Sequence, residues 1–266
     1  MAMGRKGFVA LALGLGLLGG LAAFGQPPTN PNERHVSPGI NVEDDFVART
    51  GKLWALDFTF KDPRTIPVNI PGKGTRVVTY LRYQVINYTS EPRTFIPDFE
   101  LVTHDKGMVY TDQILPSALE AIRKLEDPTG HYKIKSSVTI SAEPIPVSVK
   151  KADPRVVTGV ATWIDPNEID PDDDAETRAK KKARPKLADS NRYSIFVAGL
   201  SNGFTLTDDP APGAKGQVVR RKTLQLTFQR MADKFTTRAD AMRFRPPATW
   251  IYRASKVKLD IPAPAK

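Results

Sequence analysis

The chain of 266 residues contains no cysteine. That excludes disulfides, a thiol nucleophile, Cys-based zinc and iron–sulfur sites, and a lipid carried on an N-terminal cysteine. Histidine is nearly as scarce: His35, His104 and His131 are the only 3, and no two of them have metal-ligand spacing. Long hydrophobic runs are absent except near the N-terminus, where the chain is uncharged from Gly7 to Gln26. No internal repeat of fixed period is present.

That one apolar run follows Arg5 and Lys6 and ends with Ala23 and Gly25 at the −3 and −1 positions before Gln26. A basic start, an apolar stretch and a small-x-small exit make up a secretory signal over residues 1–25. The competing reading is an uncleaved helix, since about 18 apolar residues can just span a bilayer. Gly14, Gly16, Gly19 and Gly20 dilute the hydrophobicity and favour cleavage. The expected location is periplasmic or extracellular, with a tether through an uncleaved N-terminal helix as the alternative. Residues 26–50 are rich in Pro and Asn and read as a flexible leader.

The remaining residues, 51–262, alternate apolar and polar side chains. Leu224, Leu226 and Phe228 oppose Thr223, Gln225 and Thr227. Leu81, Tyr83 and Val85 share a face with Val77, and Val257, Leu259 and Ile261 repeat the pattern near the end. Such alternation predicts half-buried strands. Further strands are expected at 53–60, 94–104, 107–112, 135–141, 156–164, 193–199 and 249–253. One helix is expected, opened by Pro116-Ser117, spaced by Ala118, Leu119, Ile122 and Leu125, and stopped by Asp127-Pro128. Many short strands with Pro and Gly between them predict an all-β, two-sheet sandwich with one short helix, or two sandwiches meeting near residue 150. Residues 165–190 hold an acidic block, then a basic one, and predict a charged, solvated loop insertion.

One segment carries a resemblance. Val85-Ile86-Asn87 ends a strand, and Pro92, Phe95, Phe99-Glu100-Leu101, Gly107 and Tyr110 follow. This resembles the pattern of immunoglobulin-like domains of exported bacterial proteins, the secreted-antigen or telokin-like kind, over about 40 residues. The resemblance implies an immunoglobulin-like fold and no particular activity.

Several constellations bear on chemistry. Gly199-Leu200-Ser201-Asn202-Gly203 is a literal G-x-S-x-G, but a nucleophile elbow needs a helix next and a histidine later in the chain. Here a strand follows and all three histidines precede Ser201, so a hairpin turn is expected. Asp165, Asp170, Asp172, Asp173, Asp174 and Glu176 are the candidate metal ligands, with calcium as the ion. A helix–loop–helix calcium loop fails because Ile169 and Asp170 stand where a ligand and a glycine belong. The plainer expectation is a hydrated acidic loop paired with its own lysines. Lys180, Lys181, Lys182, Arg220, Arg221 and Lys222 are candidates for binding anions. Alternation puts Arg221 on an outer face, and Arg220 and Lys222 at the rim of the core. Trp163 is expected in the core. Asn87-Tyr88-Thr89 is a glycosylation sequon.

The chain carries 39 basic and 29 acidic side chains, a formal +10, and loss of Arg5 and Lys6 with the signal leaves +8. Such a surplus favours encounter with anionic surfaces. No catalytic residue and no resident cofactor is assigned. The expectation is a basic cell-envelope protein acting as a non-enzymatic binding or structural module, for an envelope protein or an anionic polymer and not for a specific nucleic acid. The alternative is a calcium-binding or hydrolytic envelope enzyme. Membrane contact is expected only if the N-terminal segment stays uncleaved.

Overall fold

The computed structural model describes residues 33–38, 53–149, 152–208, 217–231 and 241–254. The expected signal at 1–25, most of the leader and the strand expected at 257–261 lie outside these residues. Among them, no helix is long and apolar enough to cross a membrane.

Two antiparallel sheets face each other. The first holds β1 (Glu33–Val36), β2 (Asp57–Lys61), β3 (Arg64–Ile70), β4 (Gly74–Ile86) and β7 (Val156–Ile164). The second holds β5 (Asp98–Thr103), β6 (Val109–Thr111), β8 (Arg192–Ala198), β9 (Phe204–Asp208), β10 (Gln217–Arg230) and β11 (Met242–Ala254). Strands from both sides of residue 150 share one core. In it Leu81, Tyr83 and Val85 of β4 meet Phe99 and Leu101 of β5 and Leu224, Leu226 and Phe228 of β10. Trp163 is buried there, as its place on one face with Val157 and Ala161 predicts.

The opposite face of the first sheet has its own cover. Val78 and Tyr80 of β4 pack with Ile122 and Ala118 of α1 (Pro116–Glu126). Helix α1 sits where Pro116 and the Ala118/Ile122 spacing place it. Its last residue, Glu126, is buried and accepts bonds from Lys61 at 3.0 Å, Arg64 at 2.9 Å and Tyr80 at 2.9 Å. Burial alone would raise this carboxyl, but these donors outweigh it and hold its pKa below the ordinary value.

In both sheets, one strand leaves its partner and returns to the same edge. Along β4, β2 pairs with Tyr83–Ile86 and β3 with Gly74–Tyr80, while β7 runs along the opposite edge. Along β10, β8 pairs with Leu224–Gln229 and β9 with Gln217–Arg221. Residues 199–203 are therefore an excursion between collinear strands, and the expected hairpin between two paired strands is not formed. Both flanking strands pair with β10 instead.

Other expectations also change. Residues 137–141 form a short helix, α2 (Ser137–Ser141), although Val138, Thr139 and Ile140 suggest a strand. Ser136 and Thr139 form a reciprocal capping box that closes the first turn. Within the leader, Glu33–Val36 forms a strand: Glu33 bonds the buried Arg82 at 2.7 Å and His35 bonds Asp57 at 2.9 Å. The hydrogen bond to Asp57 raises the pKa of His35. The charged insertion contains a helix, α3 (Ala175–Ala183), capped by Asp174 and anchored by the buried Asp165 and Leu187. Its charges pair with one another and with Arg76 of β4, which lets a nearly apolar-free segment order.

Asn87, just after β4, is fully buried. Its Nδ2 donates to the carbonyls of Glu91 at 2.8 Å and Ile145 at 3.0 Å, and its Oδ1 accepts from the Thr89 hydroxyl at 2.7 Å.

Tyr83 and Gly159 are cross-strand partners, and a Cβ built on Gly159 would overlap the Tyr83 ring. The ring is buried and has nowhere to retreat. Gly159→Ala is expected to cost about 2–3 kcal/mol through overpacking, read as a lower urea midpoint with an unchanged slope.

Candidate functional site

The excursion from Gly199 to Gly203 builds one end of the sandwich. Gly199 has φ of 90°, and a Cβ there would strike the Ile96 carbonyl, so the chain turns away from β10 at this point. Leu200 then plugs into the core. The Leu56 amide donates to the Leu200 carbonyl at 2.8 Å, and the Ser201 hydroxyl donates to the Trp54 carbonyl at 2.8 Å. The Trp54 amide donates to Asn202 Oδ1 at 2.8 Å. At the return, the Lys222 amide donates to the Gly203 carbonyl at 2.9 Å.

These bonds frame an open cleft of about 390 Å³ walled by Trp54, Ile96, Ser201, Asn202, Phe204 and Arg221. Ile96, in this wall, is 69% exposed. Arg93 lies over the Trp54 ring, 5.4 Å from its centroid.

Arg221 is the cation of the cleft. Its Nε is buried and meets no hydrogen-bond acceptor, and among the described residues no carboxylate pairs with it. Asp98 and Glu100 line an adjoining hollow with it. Glu100 is engaged by Arg253 at 2.8 Å, and that guanidinium stacks over Phe196 at 3.8 Å. A guanidinium without a carboxylate, beside an indole, is suited to bidentate binding of an anionic group.

The other two residues of its cluster are occupied. Arg220 Nε donates to Thr207 at 2.8 Å. Lys222, expected at the rim, is buried, with its ammonium 5.5 Å from the Tyr252 ring centroid, because β11 extends the inner face beyond the apolar run. The cluster at 180–182 lies on α3. Lys180 pairs with Glu176 at 2.6 Å and Lys181 bridges Asp170 at 2.6 Å and Asp173 at 2.7 Å, while Lys182 is exposed.

The acidic candidates are distributed along this insertion. Asp165 accepts the Asn167 and Leu187 amides, and Asp170 also accepts from Arg76. Asp173 accepts the Asp170 amide, and Asp174 caps α3 through Thr177 at 2.6 Å. Asp172 is exposed, and Glu176 pairs with Lys180. The lysine and arginine contacts hold the Asp170 carboxyl below the usual range. Among the described residues, no three His, Asp or Glu side chains gather as a metal site. Arg76, which organises this network from β4, carried no signal in the sequence.

Ser201 has no imidazole beside it. The serine that does is Ser194, whose Oγ lies 2.8 Å from His104 Nε2 and 3.0 Å from Thr227 Oγ1. Ser194 is 1% exposed on the outer face of the second sheet, where these groups form a polar ladder.

One titratable group stands out and was not anticipated. Asp112, just after β6, accepts the Thr162 amide at 2.7 Å and the Ser137 hydroxyl. Burial pushes its pKa from 3.8 up to about 6, against the lowering effect of these bonds. Its folded form therefore holds the proton more tightly than the unfolded chain. The stability this contributes is full below pH 3.8 and is lost as pH rises through about 6. Asp112→Asn keeps an acceptor for Thr162 and is expected to add about 2–3 kcal/mol at neutral pH and to flatten the acid-side slope. Urea titrations across this pH window measure both effects.

Compared with protein-family models, curated proteins and solved structures, the chain has no match in any of the three.

Proposed function

We propose that the chain is an exported, non-enzymatic binding module of the cell envelope whose cleft at residues 199–204 takes an anionic ligand. The observation that carries this reading is Arg221, a cation that no carboxylate pairs with among the described residues and that lines the cleft with Trp54 and Phe204. An anion in the cleft would give the Arg221 guanidinium a charged partner, and a charge-assisted bond is stronger than the water contact it replaces. Trp54 and Ile96 offer an apolar surface for the body of such a ligand. The net surplus of basic side chains would draw anionic polymers toward the protein before they dock.

Export on residues 1–25 and the kinship with immunoglobulin-like domains of exported bacterial proteins belong to the same proposal. Intact mass of the secreted protein is expected to correspond to a chain starting at Gln26. A mass retaining residues 1–25 would replace release with a tether.

Arg221→Ser is expected to lower the salt concentration at which the protein leaves a heparin column. A double change of Lys180 and Lys182 to Ser removes more charge but is expected to shift elution less, because those lysines sit on α3 and do not line the cleft. Equal or reversed shifts would reduce the interaction to net charge and sink the reading.

A further inference from the structure

A second concave site lies where β6 leads into α1. Ile114, Leu115, Pro116 and Leu119 wall a pocket of about 220 Å³, Val160 of β7 lies at its base, and Asp112 is the only charged group in its lining. The remaining hydroxyls are committed. Ser136 and Thr139 bond each other in the cap of α2, and Thr162 donates to the Gln113 carbonyl. Asp112 accepts one bond on each oxygen, from Thr162 and from Ser137, and each oxygen keeps a further lone pair. Among the described residues, no lysine or arginine pairs with it. The other ionisable groups that bear on it are Asp98 of β5 and the Tyr83 phenol of β4, and neither brings positive charge.

A carboxylate withdrawn from water without a cation is costly to keep ionised. A ligand that carries its own ammonium removes that cost and gains a charge-assisted bond, while its hydrocarbon body replaces water against Leu115, Leu119 and Val160. We infer that this pocket binds a small primary amine with a compact apolar body, the ammonium on Asp112 and the body between α1 and β7. The volume equals roughly seven waters, which fits a ligand of about that many heavy atoms. The site is separate from the anion cleft and takes a ligand of opposite charge.

The test is a titration of the full chain, followed by calorimetry or amide chemical shifts, with cyclohexylamine, cyclohexanol and methylammonium as probes. Cyclohexylamine is expected to saturate the site below ~10 mM at neutral pH, as its atom count permits. Its affinity is expected to fall about tenfold from pH ~7 to pH ~5, as Asp112 takes up its proton. Cyclohexanol, with the shape but not the charge, and methylammonium, with the charge but not the shape, are each expected to bind at least about tenfold more weakly. Asp112→Asn should abolish binding of the amine. Leu119→Trp, which fills the pocket and leaves the carboxylate in place, should do the same and stands in if the first variant fails to fold. Cyclohexanol binding as well as the amine, either folded variant retaining wild-type affinity, or no saturation by cyclohexylamine would each overturn the inference.

Discussion

The structure depends on one side chain lying where another has none. Tyr83 crosses its own sheet over Gly159, and only a residue without a Cβ leaves room for the ring. From that position the ring meets Phe58 at 5.4 Å, Phe99 at 4.9 Å and Phe95 at 6.2 Å, so aromatic side chains from both sheets pack around it. Without disulfides, this packing has to supply much of what holds the layers together. Burial drives the phenol pKa well above its usual value, and the nearby charge of Asp112 adds to the effect, so the hydroxyl stays neutral. The central packing contact and the Asp112 carboxylate are thus neighbours.

The two interrupted strands serve a common purpose. At the break between β2 and β3, the buried Asp62 accepts the Phe244 amide of β11 at 2.9 Å. At the break between β8 and β9, Leu200 and Ser201 bond to Leu56 and Trp54 next to β2. Each break frees backbone or side-chain groups from one sheet and spends them on the other. Bulged positions in sheets often re-aim side chains in this way. Here the second break also opens the cleft, so the feature that stitches one end of the sandwich also makes it concave.

Much of this was legible in the sequence, and the exceptions have physical reasons. Leu224, Leu226 and Phe228 announce a half-buried strand because alternation is a local signal. Pro116 and the Ala118/Ile122 spacing do the same for α1. By contrast, β3 was hidden by Pro67 and by Pro71-Gly72, which read as punctuation; β3 lies along the N-terminal half of β4 as an edge segment, where a proline is tolerated. Helix α2 was hidden because Val138, Thr139 and Ile140 prefer strands, and the capping box that overrides them is only two side chains. Alternation placed Arg221 on an outer face, but its lack of a carboxylate depends on Glu100 turning to Arg253, a contact between residues more than a hundred positions apart. Asp112 gave no signal at all, since its burial comes from β7 and α2, both distant in sequence.

The burial of Asn87 changes what its sequon means. The amide nitrogen that would carry a sugar already donates to two carbonyls, and the Thr89 hydroxyl that an acceptor site must present is bonded to the same side chain. Folding and glycosylation therefore compete for one atom. A host that modifies the nascent chain before β4 is covered would hold this segment open, whereas one that acts on folded protein would find nothing to modify. For this chain, the choice of expression host is also a choice about whether the first sheet can close.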